Sequence, residues 1–567
     1  MTVDVDVDAG INAVARTNAD VATDVATDVD VHAGVDVSGD GDVDVDVVIV
    51  GFGPGGAVAA SLLGQAGHRV LLIDKESAPY GQPRLSTLDG EIARVLQHAA
   101  DPGEAMKDAI KAPDTLIFGA DDEPLPPIDW DHRVGGHWSH YSLHQPNMES
   151  ALEHRIAMCP SVEVRWGCRA TGIRQFADAV RVSMKSTVGD RGDHPGETVS
   201  ARYVLGFDGT RSLARQAAGI ELDVLHVHKE HWTLTDYDAL RPLPDLPMRN
   251  QFRMDPDGPW FAGPNGADRC RTNVRVMPGD RLGDVVSEER GYGFAMAKFG
   301  LTRQDVRMTR QVTYRFRSEL ARSFRAGRIF LGGDAAHAMA PYLGQGACCA
   351  MRDAANLAWK LRLVLSGRAD ESLLDSYDSE RRPHSEFFVR ESLAVWRYVN
   401  ELDPHKAAER DSAMRAGRLT FAPIPGLTGG VLHRDATGRP APHAGQLAPQ
   451  GVVRHSGREG RLDDLIGYGG QLISSLPLAD LLGPERLDRL TELGVHVLQA
   501  GDDDTADMVD VDGTYRDFWL TTGATTLLSR PDHYLFGVAA TEDEVRAQVD
   551  DFLTQVPRPS VAARKGA

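Results

Sequence analysis

Val47-Val48-Ile49-Val50-Gly51-Phe52-Gly53-Pro54-Gly55-Gly56 is the stretch that decides the fold of this chain. Four β-branched residues in a row read as a short strand buried on both faces, the pattern of a parallel sheet. The glycines that follow allow a tight turn, close approach of backbone to a pyrophosphate, and close strand–helix packing. A helical stretch from Ala57 to about Gly67 comes next, and Val70 to Asp74 forms a second buried strand. Asp74 ends that strand 23 residues after Gly51, where a carboxylate can accept from ribose hydroxyls. The helix N-terminus offers free N–H groups and a positive dipole end to phosphates. Gly51, Gly53, Gly56 and Asp74 therefore read as a dinucleotide site, with FAD and NAD both open at this point.

Two further strand ends carry similar signals. Tyr203-Val204-Leu205 runs into Gly206-Phe207-Asp208-Gly209, followed by Ser212 and Arg215. Asp208 there reads either as a cofactor contact or as a cap on a turn. Ile329-Phe330-Leu331 runs into Gly332-Gly333-Asp334-Ala335-Ala336-His337, then Pro341 and Gly344-Gln345-Gly346. A carboxylate at a strand end, such as Asp334, can hold a ribityl hydroxyl, and the glycine turn opens a helix whose N-terminus can stabilise an anionic ring. The spacing predicts that helix over about 350–366, with Ala354, Leu357, Ala358, Leu361 and Leu365 on one face and Gly367 as its stop.

Outward from these motifs, strands are expected near Val162–Trp166, Val180–Met184 and Thr198–Leu205, with a hairpin turn at 189–196. Residues 225–320 read as a sheet-based substrate domain, 391–450 as a helical and irregular connection, and 451–567 as a small α/β domain. The N-terminal 46 residues hold twelve Asp and one Arg, a net of 11 negative charges out of 21 for the chain. Val-Asp alternation at 43–46 could be a strand, but the segment lacks aromatics and repels itself, so disorder is expected. An acidic body argues against nucleic acid and against acidic membrane surfaces. No apolar run reaches the roughly 18–20 residues of a membrane span, and no signal peptide is visible. The five cysteines form no CxxC pair or metal-ligand spacing. The expectations are a reduced, cytoplasmic protein and no metal.

The three motifs in this order resemble the class A flavoprotein monooxygenases, the para-hydroxybenzoate hydroxylase fold, over about 46–390. Met351-Arg352-Asp353, Tyr377-Asp378-Ser379-Glu380-Arg381-Arg382, Gln145-Pro146, Met277-Pro278-Gly279 and Ser529-Arg530-Pro531-Asp532 are similar to 3-(3-hydroxyphenyl)propionate hydroxylase. The resemblance implies an α/β architecture: a Rossmann-like FAD-binding domain interleaved with a substrate domain, and a C-terminal thioredoxin-like domain. No cysteine lies in 451–567, so that domain would be redox-inert. A homodimer through it is compatible with this reading. The resemblance places Gly51, Gly53 and Gly56 on the FAD pyrophosphate and Asp74 on the adenosine ribose. It places Arg84 near flavin and phosphates, and Gln145 near the ribityl chain. Asp208 would serve flavin and nicotinamide, and Gly333 and Asp334 the ribityl or pyrophosphate region. Pro341 to Gly346, with Gly344 and Gln345, would lie along the isoalloxazine edge on the substrate side. Cys348 and Ala350 stand where the family often has Asn and Gly.

The implied reaction consumes NADH or NADPH and O2 and hydroxylates a phenolic ring through a flavin C4a-hydroperoxide. A proton relay is then needed. Its candidates are Asp236, which matches an Asp of the related hydroxylase, and the cluster His137, His140, Tyr141 and His144. The implied substrate is a phenol with a short acidic side chain. Tailoring of a polyketide or other natural-product aromatic is the alternative, and a non-catalytic FAD-fold interaction protein is the reading from another class. The Trp-x-Trp-x-Ile-Pro signature of flavin halogenases is absent.

Overall fold

The computed structural model describes residues 43–187, 196–243, 246, 247, 249–501, 503 and 505–559. The acidic segment up to residue 42 and the 189–195 turn lie outside them. The boundary expected at Val47 moves: the first strand is Val45–Val50. Asp44 accepts from the Ser200 amide and hydroxyl at 2.8 Å each, and Asp46 accepts from the Arg69 amide at 2.8 Å. These ties to folded neighbours recruit the end of the Val-Asp alternation into the sheet.

The first strand is central in a mixed sheet of eight. It pairs in parallel with Val70–Ile73 on one side and Glu197–Gly206 on the other. Ile329–Leu331 pairs in parallel with Glu197–Gly206. The register sets Val50 beside Gly206 and Gly206 beside Leu331, so all three glycine motifs leave the sheet at the same edge. Helices Pro54–Gln65 and Gly346–Leu365 cover one face and bury Val58, Leu63, Ala354 and Leu361. The second helix starts four residues before the apolar pattern predicts, at the turn itself.

The substrate sheet has seven strands and is larger than the expected insert. Five come from 232–314, but Asp114–Phe118 and Pro124–Asp129 complete one edge. Asp114–Phe118 pairs in parallel with Asn250–Arg253, Thr115 opposite Asn250. One face packs on helix Glu288–Phe299, where Tyr237 Oη donates to the Gly291 carbonyl at 2.9 Å. The other face looks at the glycine motifs and at helix Ser376–Val399.

Residues 452–555 form a second seven-stranded sheet with helices Leu478–Glu492, Thr514–Thr522 and Glu542–Gln555. Gly470–Ser474 pairs in parallel with Val495–Gly501 and antiparallel with Thr526–Ser529. Buried ions hold this domain to the rest. Arg530 donates to Glu380 Oε2 at 2.7 Å, Asn356 Nδ2 to Asp532 at 2.7 Å, and Arg94 to both oxygens of Asp463 at 2.7 and 3.0 Å. The Ser529–Asp532 motif is thus a docking element.

Burial alone would raise the Glu380 carboxyl, but Arg530 and Lys360 outweigh it and hold it at about 2. Its folded-state value is depressed, so its stabilising contribution is complete above the ordinary 4.5 and is lost as pH falls toward 2. Thermal denaturation between pH 6 and about pH 3 should show a steep loss of stability, and the slope should flatten in Glu380→Gln. Equal slopes in the two proteins would remove Glu380 as the acid-sensitive group.

Candidate cofactor and substrate site

Gly51 sits at φ +104°, with the Phe207 carbonyl where a Cβ would stand. Gly56 lies against the Gly51 carbonyl, so neither position admits a side chain. Gly53 is the N-cap of helix Pro54–Gln65, has open space around its Cα, and makes no side-chain cap bond. No acidic residue occupies that helix's first turn. Free N–H groups and the dipole end therefore face a position that no side chain caps or neutralises, the arrangement that binds pyrophosphate. Helix Gly346–Leu365 starts the same way, with no side-chain cap at Gln345 and no acid in its first turn.

The carboxylates divide into free and occupied. Asp334 is exposed and accepts no hydrogen bond among the described residues. It lies deep enough among protein atoms that desolvation raises its carboxyl, with His337 and Arg84 pulling it back. Arg84 is exposed, stacks 4.0 Å from the Tyr80 ring centre, and forms no ion pair among the described residues. Asp74 accepts from the Phe52 amide at 2.7 Å and the Glu76 amide at 2.9 Å and is half-buried, so lone pairs remain for a ribose. An uncapped helix on each side of an unpaired Asp334 and Arg84 fits FAD in donor type and charge.

Other expected contacts are structural ties in this fold. Gln145 Oε1 accepts from the Arg84 and Leu85 amides at 2.8 and 2.6 Å, and its Nε2 donates to Glu149 at 2.6 Å. These bonds clamp residues 84–85. Asp208 Oδ2 accepts from the Leu213 and Ala214 amides, the capping reading, while its Oδ1 is buried without a partner. Gln345 Oε1 accepts from Arg352 at 2.8 Å. Gly333, at φ +57°, donates to Asp353 at 3.0 Å. Asp353 also binds His337 Nε2 at 2.6 Å and Arg381 Nε at 2.9 Å. This buried carboxylate, held low by His337 and Arg381 against its own desolvation, fixes the turn before Asp334. Sequence reading missed its role; the signal was Asp353 and Arg381, charges set within apolar helix patterns, which must pair when buried.

Of the relay candidates, His144 lies within electrostatic reach of Asp236, whereas His137 and His140 face other charges. Asp236 is buried and grips Arg271 with both oxygens, at 2.7 and 3.1 Å. Arg271 in turn donates to the Arg84 and Pro83 carbonyls at 2.8 and 2.5 Å. The expected proton-accepting role gives way to a positioning one, because a guanidinium already occupies the carboxylate. His137 bonds Gln97 at 2.7 Å near the C-terminal domain, and burial pushes it down to about 3. His140 stacks on Trp130 with centroids 4.9 Å apart and is pushed by burial to about 4. His144 caps helix Gln145–Ala157, half-buried, its Nδ1 without a partner. Cys348 is fully buried, and burial pushes its thiol well up. Among the described residues, His98, Asp463 and His533 form the one cluster of metal-type ligands. Its carboxylate is held by Arg94 and Gln471, and a guanidinium repels a cation there.

Pro341 opens a 3-10 turn, Pro341–Leu343, and is exposed. Behind it lies an apolar recess of about 300 Å³, its open mouth included. Ile117, Phe252, Tyr342, Leu343, Val399 and Phe421 are among its walls. Two walls come from Tyr342 and Leu343 of that turn, and Ile117 belongs to a strand the sequence did not reveal.

The FAD binding domain model matches residues 44–392, and the HcaD C-terminal domain model matches 445–555. The chain belongs to the FAD-binding domain family. It is 33% identical over 524 residues to the probable NADH-specific resorcinol 4-hydroxylase of Rhodococcus jostii, covering 90% of this chain and 95% of the relative. It is 29% identical over 521 residues to the 3-(3-hydroxy-phenyl)propionate/3-hydroxycinnamic acid hydroxylase of a Mycobacterium species (strain JLS), covering 86% and 88%. The flavin-dependent monooxygenase PieE, solved with FAD and substrate, shares the fold at TM-score 0.72 and 20% identity over 91% and 99% of the two chains. FAD is thus this chain's cofactor. No helix among the described residues is long and apolar enough to cross a membrane.

Phe207 is a second residue the motif reading missed. Its ring fills the Cβ space of Gly55, 2.6 Å away, and of Gly332. Gly332→Ala should therefore destabilise the protein by about 1–3 kcal/mol through overpacking. Adding Phe207→Ala should recover part of that loss in urea unfolding. Additive losses would show that Phe207 does not explain the glycine.

Proposed function

We propose that the chain is an FAD-dependent monooxygenase that uses NADH to hydroxylate a neutral phenolic ring, a resorcinol-type compound before a hydroxyphenylpropionate. The apolar recess behind Pro341–Leu343 carries this reading. No Lys or Arg side chain lines it, so nothing in it answers a carboxylate, and burying an unpaired carboxylate is costly. Arg410, the nearby buried cation, is occupied by Asp411 and by the carbonyls of Tyr398 and Met254. The walls of the recess are aliphatic and aromatic side chains, which suits an uncharged ring. The free Asp334 and the uncapped helices weigh against a non-catalytic scaffold.

Bound FAD supplies hydride acceptance from the nicotinamide and activation of oxygen. The protein binds it through the N–H groups after Gly53 and holds its chain beside Asp334. The N-terminus of helix Gly346–Leu365 favours negative charge on the ring. The recess excludes water and aims the phenol. Tyr342 Oη accepts from Asn400 Nδ2 at 2.9 Å, which leaves its own proton to donate toward a substrate oxygen. Burial keeps that phenol protonated. Asp236 contributes by holding Arg271, and through it Pro83 and Arg84. We read the C-terminal layout as thioredoxin-like, supported by its β-α-β and β-β-α halves. Five unpaired cysteines support a reducing, cytoplasmic setting.

NADH oxidation, oxygen uptake and product should be followed together for resorcinol, an alkylresorcinol and 3-(3-hydroxyphenyl)propionate. The neutral phenols should stimulate turnover and gain one hydroxyl, and Val399→Trp should raise their KM about tenfold or more with the KM for NADH unchanged. Efficient hydroxylation of the propionate alone would refute the neutral-substrate reading.

A further inference from the structure

We propose that the C-terminal domain acts on the flavin site through Tyr534, a positioning residue for the Gly344-Gln345-Gly346 turn. The inference rests on the assignment of that turn to the flavin ring. Arg352 is the hub. It donates to Gln345 Oε1 at 2.8 Å, to Glu91 Oε2 at 2.7 Å and to Asp89 Oδ2 at 2.5 Å. Tyr534 Oη donates to the other Glu91 oxygen at 2.7 Å. Arg352, Glu91, Gln345 and Tyr534 are all buried, so no link is exposed to competition from water.

Glu91 divides its carboxylate between the C-terminal domain and the hub. Without the Tyr534 hydroxyl, one buried oxygen loses its donor. Arg352 is the cation nearest to satisfy it, and a guanidinium drawn toward Glu91 is drawn from Gln345. Gln345 is the N-cap residue of the helix that faces the ring, so its placement sets where the N–H groups of that helix point. Gly344, just before it, holds φ +67° with the Thr87 hydroxyl in its Cβ space, which leaves the turn little freedom of its own. Tyr534 is itself fixed. Its backbone carbonyl accepts from the Arg530 amide at 2.9 Å, and Arg530 is bound to Glu380. A domain with no cysteine cannot reach the flavin by thiol exchange. A fixed hydrogen bond is the route that remains.

FAD titration of apoprotein, read by flavin fluorescence, tests this alongside thermal denaturation of each apo form. Tyr534→Phe should weaken FAD about tenfold, the scale of one buried hydrogen bond. Gln345→Met should do the same, and the double variant should be no weaker than the worse single, as for two residues on one relay. Asp463→Asn loosens the Arg94 contact at the same domain interface; it should lower the apo melting temperature yet bind FAD within about twofold of wild type. If Tyr534→Phe does not fold, Glu91→Gln reads the same link with the same expected loss. Wild-type FAD affinity in Tyr534→Phe, or an equal loss in Asp463→Asn, would overturn the relay in favour of simple docking. Wild-type apoprotein that takes up no FAD would overturn the flavin assignment itself.

Discussion

The parallel register of three strands is the constraint on which the rest of the structure depends. Val50, Gly206 and Leu331 lie side by side, so three turns far apart in sequence leave the sheet together. The turns need glycine for different reasons: the Phe207 carbonyl against Gly51 and the Gly51 carbonyl against Gly56 in the first, the Ala214 side chain against Gly206 in the second, and the Phe207 ring against Gly332 in the third. Gly53, the N-cap, has open space around it and brings no side chain to cap the helix start. The resulting unneutralised N-terminus is what an anionic cofactor requires.

Around that edge, buried charges do the fixing. Asp353 ties Gly333, His337 and Arg381 together, and Arg352 ties Gln345 to Asp89 and Glu91. Asp236 and Arg271 do the same for residues 83 and 84 from the substrate sheet. Removing one partner from such a pair leaves an uncompensated charge, at a cost of about 3–5 kcal/mol. Asp334 and Arg84, which form no ion pair among the described residues, are the exceptions. The C-terminal domain enters this network through Arg530, Asp532 and Tyr534.

How much of this was legible beforehand depended on the range of the cause. Turns that need glycine, and strands buried on both faces, announce themselves within ten residues; Gly51–Gly56 and Gly332–Asp334 were read correctly as turns. The strand at 114–118 was not, because it pairs with residues about 135 positions away, and Pro124–Asp129 joins the sheet only through it. Asp236 and Gln145 were recognised as important residue types, but their partners, Arg271 and the amides of 84 and 85, are set by tertiary contacts. Asp208 left two readings open, and its amide contacts supply the capping one while its second oxygen stays unpartnered. The Val-Asp alternation at 44–46 joined the sheet because Ser200 and Arg69 lie beside it.

The most direct test of the cofactor groove is a crystal structure of the FAD-loaded protein. The pyrophosphate should lie on the N–H groups that follow Gly53, with Asp334 bonded to the ribityl chain and the ring edge along Pro341–Gly346. A flavin bound elsewhere, with Asp334 still unbonded, would contradict the account.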